Sequence, residues 1–307
     1  MKLICVNYHY FRNSSPGNGI YPISQEDLLK QVDLLSADYE FVDQTTVASK
    51  RFPKANKDYC MLTFDDGLKE QIHAFEVLKK LGIPCVCYVN TDSIEKGKAG
   101  DVHKIQYVRS IISDAEFLGM IDDEVNLNAY SFDESVLNKQ YRYDNVYARR
   151  LKYLLNFILP ENIKKKIVNK VFSRLVASEE NFCTQFYMNE ADLCKLANEG
   201  ALGTHSASHR ALGTLNIEDA KSDIKHSVDY LKGVTGQNII SISYPYGGPT
   251  AVPNIETSFY KDMGLDFGLT MFRGMNIIPI KEQFLLKRYD TNDVIGGKFY
   301  VEEHFNV

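Results

Sequence analysis

One stretch constrains this chain more than any other: Met61-Leu62-Thr63-Phe64-Asp65-Asp66-Gly67. An apolar, β-prone run reads as a buried strand. It runs straight into two adjacent carboxylates, and Gly67 permits a sharp turn behind them. Leu68, Ile72, Phe75, Leu78 and Leu81 then recur at helical spacing. Two acids therefore stand at a strand-to-helix junction, where parallel α/β folds place their chemistry. Neighbouring carboxylates repel, and burying both is costly without a cation nearby. The plain alternative is that Asp66 caps the helix and Asp65 is solvated.

The surrounding pattern is α/β. Residues 3–9 read as a first strand with His9 at its end. The loop from Arg12 to Pro22 reads as irregular and exposed. Ser24 with Asp27 resembles a capping box opening a helix to about Leu35. A short strand over Phe41–Asp43 and a strand from Ile83 follow, and the β–α–β order implies a right-handed parallel crossover. From about 92 to 189 the pattern becomes helical, with helices expected over Ile105–Leu118, Tyr147–Leu159 and Ile163–Val176, which predicts an insertion into the body. After Asn189 the α/β alternation resumes. Helices are predicted over Glu190–Glu199, Ile217–Leu231 and Asn254–Met263. Strands are predicted over Leu202–Thr204, Ile239–Tyr244, Phe267–Met271 and Phe284–Tyr289.

Charge is segregated inside the insertion. Seven acids and no Lys or Arg lie between Asp114 and Glu134; ten bases and two acids lie between Lys139 and Arg174. Two helical faces, solvated or paired with each other, account for this. So does a basic surface for a phosphate-bearing substrate or an anionic membrane face, in which case reversing three of Lys164, Lys165, Lys166 and Lys170 raises KM.

The whole chain sets outer bounds. With 307 residues, 44% of them apolar, it can bury one large barrel or two ordinary domains. A net charge of −5 argues against a general nucleic-acid binder. No run of 18 uncharged apolar residues predicts a membrane span. The N-terminus reads as a strand rather than a secretory signal. The scattered cysteines, with Cys85 and Cys87 alternating on one strand, read as free buried thiols in a reducing cytoplasm.

The second constellation is Gly203-Thr204-His205-Ser206-Ala207-Ser208-His209. Two imidazoles at i and i+4 share a face on a helical turn and can hold one divalent metal. Two His and one carboxylate make a common three-ligand set that leaves a position for water.

These residues resemble the polysaccharide deacetylase family, the NodB-homology enzymes of carbohydrate esterase family 4. Thr63–Gly67 matches the first family motif, His205–His209 the second, and Tyr244-Pro245-Tyr246-Gly247 resembles the third. The resemblance covers roughly residues 1–91 and 190–290. It implies a distorted (β/α) barrel, one catalytic domain over 1–307 with the helical insertion at 92–189. It implies that Asp66, His205 and His209 bind a divalent metal; zinc suits the set, with cobalt, nickel and iron open. Asp65 becomes the catalytic base, and the Tyr246 backbone N–H helps bind an oxyanion. Two features depart from the family. Ser241–Tyr244 lacks the usual base-tethering arginine, for which Arg288 is the substitute candidate, the alternative being a surface arginine on a strand edge. The late Leu-x-His motif is missing. His304 is discounted, and Tyr8-His9 resembles a permuted arrangement that makes His9 the general acid. His73 and His226 read as ordinary helix residues, and nothing ties His103, in the insertion, to the site.

The expected activity is metal-dependent removal of an N-acetyl group from an amino sugar or glycan intermediate, made in the cytoplasm and carrying a phosphate linkage where the basic insertion is used. Peripheral membrane contact is compatible with that. O-deacetylation, sugar deformylation, a non-catalytic glycan-binding relative and a structural assembly protein are the alternatives.

Overall fold

The structure, a computed structural model, describes all residues except 16, 128, 129, 131, 133–144 and 302–307, and only the backbone at 157. His304 and part of the segregated charge, from 133 to 144, fall outside the described residues. The chain divides into two compact units: Met1–Asn13, Ile23–Lys98 and Cys183–Val307 form the first, Ser14–Pro22 and Ala99–Phe182 the second.

The first unit is built on a nine-stranded sheet. Its strands are β1 (Lys2–Tyr8), β2 (Tyr39–Phe41), β3 (Asp58–Phe64), β4 (Cys85–Val89), β5 (Leu202–Thr204), β6 (Ser241–Ser243), β7 (Phe267–Leu269), β8 (Asn276–Ile277) and β9 (Tyr289–Asp290). The order is β7-β6-β5-β4-β3-β1-β8, with β2 beside β3 and β9 beside β1. All pairings are parallel except β1 with β8. Around it lie α1 (Gln25–Asp38), α2 (Gln44–Ser49), α3 (Gln71–Lys80) and α4 (Asp92–Glu95).

The sheet closes through its last segment. Leu286 exchanges backbone hydrogen bonds with Gly268 and Thr270 at 2.9 and 2.8 Å, and the Arg288 N–H reaches the Phe272 carbonyl at 3.0 Å. Tyr289 and Asp290 then pair with Val6 and Asn7 of β1. The stretch 286–290 therefore bridges β7 to β1, and the parallel strands form a distorted (β/α) barrel. The predicted strand Phe284–Tyr289 is irregular because it bends from one neighbour to the other.

Both faces of the strands are buried, which explains their nearly continuous apolar runs. Ile4, Val6, Cys60, Leu62, Phe64, Cys85 and Cys87 pack outward with helical residues such as Leu28, Leu35 and Leu78. The alternate residues Leu3, Cys5, Met61, Val86, Tyr88, Phe267, Leu269 and Leu286 form the opposite cluster. Small residues make room inside: a Cβ on Gly203 would sit 2.3 Å from the Tyr88 ring.

The second unit is helical: α5 (Asp101–Ile111), α6 (Asp114–Asp122), α7 (Val146–Tyr153) running into a π turn over Leu154–Ile158, and α8 (Glu161–Leu175). The single helix predicted over Ile105–Leu118 is two, because Ser113 and Glu116 form a complete capping box that starts a new one. A buried Arg109–Asp114 pair at 2.6 Å holds the corner. The segregated charges meet within the unit, where Lys170 and Arg174 reach Glu124 at 2.6 and 2.9 Å; inside the basic stretch, Lys164 reaches Glu161 at 2.7 Å. Residues 14–22, read from sequence as an exposed loop, belong to this unit and bury Ile20. The chain returns through α9 (Glu179–Phe186), followed by α10 (Glu190–Asn198), α11 (Ile217–Thr235) and α12 (Thr257–Asp262). No helix among the described residues is long and apolar enough to cross a membrane.

Burial also sets the cysteine chemistry. Five of the six free thiols are buried, and Cys194 is half-buried. Burial pushes Cys5 up to about 12 despite the nearby Arg288 charge, and raises Cys60, Cys85 and Cys87 as well. A buried neutral thiol is a poor nucleophile. At pH 8 the folded protein should release at most about one thiol equivalent, from Cys194, to a water-soluble aromatic disulfide, and all six after denaturation. Rapid reaction of several thiols in the native state would contradict this interior.

Candidate metal centre and active site

Strand β3 ends at Phe64, and the two acids follow at once. The Asp65 N–H still bonds the Tyr8 carbonyl at 3.0 Å, so Asp65 is held at the strand end beside β1. At Asp66 the backbone turns left-handed, with φ +82°, and Gly67 follows at +65°. A Cβ on Gly67 would meet Val89 at 2.8 Å, so this turn needs glycine twice over. Helix α3 starts only at Gln71, and its N-cap, Glu70, makes no side-chain cap. Asp66 is therefore not a helix cap. Gln71 instead ties the turn, donating to the carbonyls of Asp65 and His9 at 2.5 and 2.9 Å.

The Asp66 carboxylate faces two imidazoles. Its Oδ1 lies 3.4 Å from His205 Nε2 and 2.9 Å from His209 Nε2, with all three side chains buried. His205 and His209 do not lie on a helical turn as their spacing implies. They flank a loop in which Ser206 and His209 take φ values of +63° and +55°. That loop is anchored throughout. His205 N–H bonds the Val89 carbonyl at 2.9 Å, and the Ala207 carbonyl accepts from Asp92 N–H at 3.0 Å. Asp223, on α11, accepts from the Ala207 N–H at 2.7 Å and the Ser208 hydroxyl at 2.5 Å. His205 Nδ1 lies 2.7 Å from the Ser243 carbonyl. A carbonyl can only accept, so Nδ1 carries a proton and Nε2 is the nitrogen that faces Asp66.

This donor set fits a divalent cation. Ligands about 2.0–2.1 Å from a tetrahedral zinc stand roughly 3.4 Å from one another. The two Asp66 spacings lie near that value, but His205 stands outside the group of ligand atoms, Asp66 and His209 included, that all lie within 4.8 Å of one another, so closing on a cation draws His205 and His209 together. One hard oxygen and two imidazole nitrogens suit zinc, cobalt, nickel or iron better than calcium.

Asp65 is held by a different partner. Arg288 Nη1 and Nη2 donate to its two carboxylate oxygens at 3.0 and 2.8 Å. The remaining Arg288 donors go to Thr270 O, Thr63 Oγ1 and Ser243 Oγ, at 2.9, 3.3 and 2.9 Å. Ser243 Oγ also donates to Asp65 Oδ2 at 3.1 Å. Arg288 is 1% exposed, so it is no surface arginine on a strand edge. Burial pushes the Asp65 carboxyl upward, but the Arg288 guanidinium, with His205 and His9, outweighs that and leaves it below the usual aspartate range.

His9 follows β1, half-buried, close enough for its charge to act on Asp65. Tyr246 follows β6 with φ +63°, its ring 5.3 Å from that of His209 and its side chain half-exposed. All seven residues singled out from the sequence, Asp65, Asp66, His205, His209, Arg288, His9 and Tyr246, belong to the first unit. Distances join Asp65 to Arg288, and Asp66 to His205 and His209. Sequence reasoning missed Asp223 and Ser243. Asp223 looks like any acid on a solvated helix face, and Ser243 like a small strand residue.

The polysaccharide deacetylase family model matches residues 156–267. That span contains both histidines and Tyr246 but not the aspartate pair. No curated protein sequence matches the chain. Among solved structures, the Streptococcus pyogenes deacetylase PplD in complex with acetate is similar with TM-score 0.57 and 16% identity, over 94% of this chain and 92% of that one. IcaB from Ammonifex degensii matches with TM-score 0.51 and 16% identity, over 94% and 90%. The BpsB deacetylase domain from Bordetella bronchiseptica matches with TM-score 0.51 and 15% identity, over 94% and 95%. These likenesses establish the fold, and the polysaccharide deacetylase family model matches a little over a third of the chain.

Proposed function

We propose that this carbohydrate deacetylase is a divalent-metal-dependent hydrolase that releases acetate from N-acetylated amino sugars of a glycan or glycan intermediate. One observation carries the reading: a buried carboxylate gripped by an arginine stands next in sequence to a carboxylate facing two histidines. Likeness to a deacetylase solved with acetate supports acetyl as the acyl group.

A divalent cation held by Asp66, His205 and His209 would lower the pKa of the attacking water to near neutrality and polarise the amide carbonyl. Asp65 accepts that water's proton. Three hydrogen bonds from Arg288 and Ser243 occupy Asp65, leaving one of its roughly four lone-pair sites for the water. Arg288 keeps Asp65 ionised and fixes its direction. The Tyr246 backbone N–H stabilises the developing oxyanion, a contribution of roughly 3 kcal/mol where such a donor is preorganised. His9 protonates the departing sugar amine. O-acetyl and N-formyl groups would pass through the same geometry. The grip of Arg288 on Asp65 weakens the case for a non-catalytic relative, since it supplies the arginine missing from the third motif. The free thiols support a reducing, cytoplasmic setting.

Acetate release from N-acetylglucosamine oligosaccharides should depend on added Zn²⁺ and be lost with a chelator. Asp65→Asn should retain the metal but lower kcat by at least about a hundredfold. His209→Ala should lose the metal itself, read by elemental analysis. Metal-loaded wild type that releases no acetate from any acetylated sugar would refute the proposal.

Arg288→Met should destabilise the fold by about 3–5 kcal/mol, because it strands a buried carboxylate. The sign with pH follows from the lowered value of Asp65. Its stabilisation is present above the ordinary aspartate value of about 3.9 and is lost as pH falls through the folded value. The gap between wild type and Arg288→Met, measured by urea melts, should therefore be widest near neutrality and narrow in acid.

A further inference from the structure

Beside this site lies a group of side chains that the chemistry above does not use. Past the end of β1 the chain runs Tyr10-Phe11-Arg12. Glu70 spends both carboxylate oxygens on that turn: Oε1 accepts from the Phe11 N–H at 2.8 Å, and Oε2 from Arg12 Nε at 2.6 Å. The Arg12 guanidinium carbon lies 5.4 Å from the Tyr10 ring centre and 6.0 Å from that of Phe186. The group is thus fixed at one edge and laid over two rings. Its two terminal amino groups have no hydrogen-bond partner among the described residues, and the side chain is 29% exposed.

That arrangement differs from an ordinary stabilising pair. An arginine paired for stability alone commonly gives its two-nitrogen fork to the carboxylate. Here the single Nε contact leaves the fork presented and already oriented, which lowers the cost of binding a planar or tetrahedral oxyanion. The location is also specific. Tyr10 is buried, and the negative charge of Asp66 acts on its hydroxyl, so Arg12 stands one ring away from the metal-ligand set. Arg12 also lines a cleft of about 200 Å³, together with Phe11, Asn13, Gln25, His73 and Ala74. The acids on the adjoining helix, Glu26 and Asp27, are engaged by Lys30 at 2.7 and 3.8 Å.

We propose that the Arg12 fork and this cleft form a subsite for an oxyanion, a phosphate or a carboxylate, carried by the glycan beside the sugar that is deacetylated. The subsite rests on the deacetylase reading and narrows its substrate class to anionic glycans.

The test compares wild type, Arg12→Gln and Arg12→Lys on a neutral N-acetylated oligosaccharide, the same oligosaccharide bearing a phosphate monoester, and one bearing a uronic carboxylate. Wild type should show a KM at least about tenfold lower for one charged substrate than for the neutral one. Which substrate is favoured identifies the anion. Arg12→Gln should erase that preference at unchanged kcat on the neutral substrate. Arg12→Lys should keep only a part of it, because an ammonium cannot make two parallel bonds. Equal KM values on all three substrates in wild type, or a rise in Arg12→Gln that is the same on neutral and charged substrates, overturns the subsite. Should wild type turn over none of them, the deacetylase reading fails by itself. The subsite is then judged by calorimetric titration of inorganic phosphate and of acetate. Binding by wild type that Arg12→Gln loses supports it, and equal or absent binding overturns it.

Discussion

A guanidinium inside a barrel is the constraint around which this molecule is arranged. Arg288 is fully buried, and its five N–H donors have five oxygen partners. Removing such a cation from water is tolerable only with a counter-charge and complete hydrogen bonding. Asp65 supplies the charge, and Thr63, Ser243 and the Thr270 carbonyl supply the rest. The demand reaches into the fold. Thr63 and Ser243 stand on inward-facing positions of β3 and β6 because an apolar residue there would leave Arg288 donors unsatisfied. The segment that carries Arg288 also closes the barrel between β7 and β1. Closing the sheet and fixing Asp65 are one event.

The sequence displayed most of this framework, for identifiable reasons. Strands with both faces buried read as continuous apolar runs, so β1, β3, β4 and β5 were legible to within a few residues. The motif residues were legible because carboxylates and imidazoles at strand ends have few cheap structural explanations. Arg288 was legible only as a candidate, since a string of letters does not say which face of a bent, irregular strand turns inward. Asp223 and Ser243 were not legible. Their roles exist only through residues that are distant in the chain. The break between α5 and α6 was missed because the apolar spacing runs unbroken across Ser113, whereas a complete capping box stabilises two helices over one.

Backbone strain marks the site more sharply than composition does. Among the described residues, five non-glycines take a left-handed φ, and four of them are Asp66, Ser206, His209 and Tyr246. Each such residue costs of order 1–3 kcal/mol and persists where its surroundings over-determine it. The surroundings here can be named. Met188 N–H holds the Gly67 carbonyl, Asp223 holds the loop between the histidines, and Met271 N–H holds the Gly247 carbonyl. Strand ends point their side chains alternately in and out. Aiming an aspartate and two histidines at one point from two such ends therefore needs turns that an ordinary φ does not give.

The two adjacent carboxylates show why this strain is worth maintaining. Left in the same direction, Asp65 and Asp66 would repel and one would protonate. Strand alternation sends Asp65 inward with Met61 and Thr63, where Arg288 keeps it ionised. The left-handed turn sends Asp66 to His205 and His209. The two acids thus have separate partners. Asp65 is gripped by Arg288, and Asp66 faces His205 and His209. A single dipeptide serves two different sets of partners because the backbone between them turns where strand geometry would otherwise have carried on.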